Sequence, residues 1–151
     1  DIKEALTEEV EINPGIACII PDTYLPDVHE RLILYKRIAS ANNEEELKDL
    51  KIEMIDRFGL LPDSTSNLFE SSSLKNFSND IGVLKINIYD DKAEITLNEK
   101  NSIDASKIIN LIQTKPIKYQ LKNQNTIVIN ESMEPDMSRI IKISKLLSTI
   151  A

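Results

Sequence analysis

Apolar residues recur along this chain with two different periods, and the change of period falls at Gly82. The stretch VEINPGIACIIP reads as two short extended pieces around Asn13-Pro14-Gly15, a turn composition, with Cys18 inside the apolar run Ile16–Ile20. Asp27 then opens a helix, with Glu30 three positions on as a capping-box partner. Val28, Leu32, Tyr35 and Ala39 follow at helical spacing and predict its buried stripe. Asn43 and Glu46 form the start of a second helix. Leu47, Leu50, Met54 and Phe58 predict its core face, Gly59 its stop, and Leu60 the apolar contact after that stop. A third helix begins near Pro62 or Asp63, carries Leu68, Phe69, Leu74 and Ile81, and ends at Gly82.

Beyond Gly82 the alternation is two-residue. Leu84, Ile86 and Ile88 run out, Asp90-Asp91 turn, and Ala93, Ile95 and Leu97 return as a hairpin. Residues 104–113 read as a helix with Ile108, Ile109 and Ile112 apolar. Pro116 leads a second hairpin, Lys118–Leu121 and Thr126–Ile129, and Met137, Ile140, Ile141 and Leu147 mark a last helix. The fold class is therefore α+β: a short extended segment, a helical front half, then a ββαββα back half with antiparallel hairpins. The boundaries are 1–9 as a linker from an upstream domain, suggested by a polar start at Asp1, and 10–151 as the domain, with 10–82 mainly helical and 83–151 ββαββα.

Composition narrows the chemistry. Tryptophan is absent and aromatics are 5% of the 151 residues, so Ile and Leu must build the core. The glycines stand at 15, 59 and 82, which excludes a Walker-type phosphate loop and G-x-G-x-x-G. No ATP site and no other cofactor is expected in this chain. His29 and Cys18 are the only residues of their kinds, too few for a zinc set. A lone cysteine also fits a reducing, cytoplasmic setting, and no apolar run approaches a membrane span. Cys18 reads most simply as a small buried hydrophobe and His29 as surface; a Cys18–His29 catalytic pair lacks a third orienting group.

Charge is unevenly placed. Up to Leu61 there are 7 Lys and Arg against 14 Asp and Glu; from Pro62 on, 11 face 11, so the net charge of −7 lies on the front portion. Such a surface repels phosphate and favours a basic protein partner. Glu53 and Asp56, three apart on the second helix, project together beside Met54 and Phe58. They read either as a solvated face, locally paired with Arg57, or as an acidic pair shown to a partner. Lys36 and Arg37, with Lys115 and Lys118 behind them, are the candidates if the domain touches DNA instead.

One segment carries a family resemblance. Ile20–Asp27 (IPDTYLPD), Arg31–Ala39 (RLILYKRIA), the Glu44–Leu47 helix start (EEEL) and Glu53–Pro62 (EMIDRFGLLP) resemble, in order, the C-terminal domain of bacterial transcription-repair coupling factors. His29 departs from that pattern, where Asn is common, and the third helix is unusually poor in Leu and Arg; the back half carries no diagnostic motif. The resemblance implies a regulatory, non-catalytic domain of a larger ATP-driven DNA translocase. ATP and magnesium would belong to the parent's motor domains. The implied partner is the N-terminal UvrB-like module of the same protein, with UvrA, RNA polymerase and duplex DNA reached through the parent and no membrane. It also implies that Glu53 and Asp56 lie on the docking surface. The alternative it leaves open is an accessory DNA-contacting domain of the same translocase.

Overall fold

The computed structural model describes residues 9–151, so residues 1–8 of the expected linker lie outside the described part. The order is β1 (Glu11–Asn13), α1 (Val28–Ser40), α2 (Glu44–Phe58), α3 (Asp63–Ile81), β2 (Val83–Ile88), β3 (Lys92–Leu97), α4 (Ala105–Thr114), β4 (Tyr119–Lys122), β5 (Thr126–Asn130) and α5 (Met137–Ile150). The fold is α+β, with helices leading and both expected hairpins present. The strands form one mixed sheet in the order β1-β2-β3-β5-β4, in which β1 pairs parallel with β2 and the two hairpins join through antiparallel β3 and β5.

Two apolar clusters hold these elements. Ile20, Leu25, Leu34, Ile38, Leu47, Leu50, Met54 and Phe69 form a helical core, while Leu74, Ile81, Ile86, Ile95, Ile129, Ile140 and Leu147 belong to the core under the sheet. Helix α3 serves both: its first half delivers Phe69 to one and its second half Leu74 and Ile81 to the other. At its end Gly82 adopts φ 85° and ψ 32°, the left-handed stop that glycine tolerates best. A Cβ there would stand 2.4 Å from the Lys100 carbonyl oxygen, so the strand-to-helix connection passes too close for any side chain.

Three expectations change. The run Ile16–Ile20 is irregular, not a strand. Side chains of α3 and α1 satisfy its backbone instead of a ladder: Thr65 donates to the Ile19 carbonyl (2.8 Å), Asn67 to that of Ala17 (3.1 Å), and Ile20 N–H to the Tyr35 hydroxyl (2.6 Å). The stripe of α1 is also rotated from that expected. Leu34 and Ile38 are buried, whereas Val28 and Leu32 are 60% and 55% exposed and Ala39 is exposed. Apolar residues surround this helix, so more than one stripe fits a period of 3.6. Leu60 is 85% exposed, because Gly59 (φ 96°, ψ −174°) leaves the helix extended and turns Leu61 onto the core in its place.

A buried arginine ties the halves together. Arg139 on α5 donates to the carbonyls of Pro14 (3.1 Å), Met133 (2.8 Å) and Glu134 (2.8 Å), and pairs with Asp90 at 2.6 Å. It thereby joins the turn after β1, the β2–β3 turn and the start of α5. Gly15 lies against it: a Cβ at that position would stand 2.8 Å from the Arg139 Nη1 and 2.6 Å from the Ile88 carbonyl oxygen.

Candidate docking surface

Helices α1 and α2 are joined by three residues, Ala41 to Asn43, and each starts on its own cap. Asp27 accepts from the N–H groups of His29 (2.8 Å) and Glu30 (3.3 Å), and Asn43 from that of Glu46 (2.9 Å). Glu30 does not complete the expected box. Its carboxylate is taken by Arg57 of α2, so the residue links two helices instead of closing one end.

That link belongs to a chain of four charges. Arg37 of α1 grips Glu53 of α2 through both guanidinium nitrogens, at 2.5 and 2.9 Å. Arg57 reaches Glu53 at 3.4 Å and continues to Glu30. Two acids and two bases therefore alternate across the helix pair and balance. The bidentate Arg37 contact, then Arg57, hold the Glu53 carboxyl below its ordinary range, and Glu53 in turn pushes Arg37 upward.

The consequence for stability follows from the direction of that shift. A carboxyl depressed in the folded state contributes above its unfolded pKa and loses that contribution as pH falls through the folded value. Glu53→Gln should cost about 0.5–1 kcal/mol near neutral pH, small because both partners are more than a third exposed. In urea melts the gap between wild type and variant should close as pH falls below about 4. A gap that stays constant across that range would show that the ionised Glu53 carboxylate is not what stabilises the clamp.

The two carboxylates singled out in the sequence thus meet different fates. Glu53 is neutralised by the protein's own arginines. Asp56 is exposed and pairs with no cation among the described residues. It lies on the outward face of α2 with Glu45, Asp49 and Ile52, at spacings of four, three and four, which one helical face brings into line. All four are exposed, and Ile52 is 48% exposed, an apolar side chain set between acids. Asp49 also borders a cleft with Arg37, Glu46 and Glu53. Asp49 and Ile52 were not singled out by sequence reasoning, and Glu45 was read only as part of the acidic helix start; the same four-and-three spacing would have shown all three.

The remaining candidates separate. Lys36 is exposed on α1, but Arg37 is engaged by Glu53 and Lys118 pairs with Glu131 at 3.4 Å. Lys115 is exposed beyond α4, in the other half of the sequence. His29 is exposed on the first turn of α1. Cys18 is half-buried, and desolvation pushes its thiol up, away from the thiolate a nucleophile needs. Among the described residues no cluster of three His, Cys, Asp or Glu could hold a metal, and no helix is long and apolar enough to cross a membrane.

A family model described as a TRCF domain matches residues 15–108. The transcription-repair-coupling factor of Haemophilus influenzae is 35% identical over 150 residues, covering 99% of this chain and 13% of that protein. The factor of Escherichia coli K12 is 32% identical over 139 residues, covering 92% of this chain and 12% of that protein. The chain thus spans 13% or less of the length of these two relatives. A crystal structure described as the C-terminal domain of transcription-repair coupling factor superposes with a TM-score of 0.72 at 21% identity, covering 94% of this chain and 96% of that one. This last is a likeness of fold.

Proposed function

The chain belongs to the TRCF domain family of transcription-repair coupling factors, and on that footing we propose that it is a non-catalytic regulatory domain, one that docks through the outward face of α2. Its partner in this reading is the N-terminal UvrB-like module of the same cytoplasmic protein. Docked there, it hides the surface that binds UvrA and restrains the DNA translocase, whose ATP and magnesium sites lie elsewhere in the parent. The observation that carries the reading is the ridge of Glu45, Asp49 and Asp56 around half-exposed Ile52, whose three acids pair with no cation among the described residues. Acids without internal partners are free to meet a basic surface, and an apolar side chain among them supplies contact area at the centre.

Weak contact suffices for such a role. A domain tethered to its partner meets it at roughly millimolar effective concentration. Faces between domains of one chain typically bury about 600–1,500 Å² and are fairly polar. A ligand that prefers the open form by a few kcal/mol then releases the contact. In a parent protein lacking residues 10–151, ATP hydrolysis and UvrA binding should both rise several-fold over the intact protein. Equal values for the two would remove the regulatory role, whatever the α2 ridge binds.

A further inference from the structure

The face built by α4, β4 and α5 has the opposite charge from α2. Between Ala105 and Asn130 the chain carries Lys107, Lys115, Lys118 and Lys122 and no acid. A cleft of about 270 Å³ opens between these elements, floored in part by Leu111, Ile143 and Leu146 and walled by Lys118, Lys142 and Lys145. Glu131, on the same wall, pairs with both Lys118 (3.4 Å) and Lys142 (3.8 Å). One carboxylate thus pairs with two of the three lysines that line the cleft, and Lys145 pairs with no acid among the described residues.

We propose that this cleft is a second docking site, which takes a protein segment carrying an apolar anchor flanked by carboxylates. The anchor leaves water for the aliphatic floor, and the carboxylates meet the surplus lysine charge. A phosphate backbone fits less well. Its affinity comes from many phosphates neutralised in a row, the aliphatic floor offers it nothing, and Glu131 repels it. The site lies on α4, β4 and α5, apart from the α2 ridge, and stands or falls separately from the regulatory reading.

The probe is a synthetic peptide in which a Leu-Phe pair is flanked on both sides by glutamates, titrated into the isotope-labelled chain and followed by amide chemical shifts. Saturable shifts are expected at Leu111, Lys118, Lys145 and Leu146. Lys145 is exposed, so Lys145→Glu leaves the fold intact, and it should weaken binding by about five-fold or more. A peptide with serines in place of Leu-Phe should not saturate. Absence of saturable shifts, equal binding by the serine peptide, or an unaffected Lys145→Glu variant would overturn the proposal. Equal perturbation by a duplex oligonucleotide would make the cleft a phosphate site, and shifts that grow with chain concentration alone would make its occupant a second copy; either result also overturns it.

Discussion

Replacing Arg139 with methionine should cost about 2–4 kcal/mol of unfolding free energy, a large share of the stability of an ordinary domain. Methionine matches the aliphatic stem and fills much of the space, so the loss isolates the guanidinium. Arg139 is 1% exposed and its partner Asp90 is 87% exposed, so the ion pair itself is the lesser part. Most of the cost comes from the carbonyls of Pro14, Met133 and Glu134, which lose their donor, that of Met133 in a buried position and the other two in part-buried ones. Buried ion pairs can often be exchanged for apolar residues without loss. That exchange fails here because backbone acceptors, which no substitution removes, remain behind. Asp90→Asn should therefore cost less than about 1 kcal/mol. Urea unfolding of both variants measures the difference; similar small losses in the two would mean that the guanidinium network holds nothing together.

Reversing Asp56 should have the larger effect on association. Asp56→Lys converts an attraction into a repulsion at an exposed site, worth about 1–2 kcal/mol at low salt, or roughly 5–30-fold in the dissociation constant for the N-terminal module. Raising the salt from about 50 mM to about 500 mM shortens the screening length from roughly 14 Å to roughly 4 Å and should shrink that ratio toward one. Because Asp56 contacts no cation within the described chain, the variant should melt like wild type. Glu53→Lys is the instructive contrast. It would set a third cation beside Arg37 and Arg57, so stability and docking should fall together. An Asp56→Lys protein that binds as wild type does at low salt would exclude this residue from the contact.

The contrast between Glu53 and Asp56 also shows where sequence reasoning reached and where it stopped. Spacing placed both on α2, and local chemistry placed the caps at Asp27 and Asn43 and the stop at Gly82, because these depend on residues within a few positions. The hairpins were legible for the same reason. What escaped depends on partners far along the chain. Arg37 closes on Glu53 across 16 residues, and Arg57 draws Glu30 away from its expected cap across 27. Arg139 reaches Pro14 over a separation of 125, and nothing in the local pattern of α5 marks it as buried. The α1 stripe failed differently: Val28, Leu32, Leu34 and Ile38 are all apolar, and only the position of α2 and α3 decides which of them turn inward. The pull of β1 into the sheet is likewise a long-range fact, a parallel pairing of Glu11–Asn13 with Lys85–Asn87.

A single titration bears most directly on the acidic ridge as the working surface. The N-terminal module of the parent is added to the isotope-labelled chain, and the amide shifts are mapped at low and at high salt. Perturbations gathered on Glu45, Asp49, Ile52 and Asp56, fading as salt rises, are the predicted result. Shifts confined to β4 and α4, or none anywhere on α2 at low salt, would contradict it.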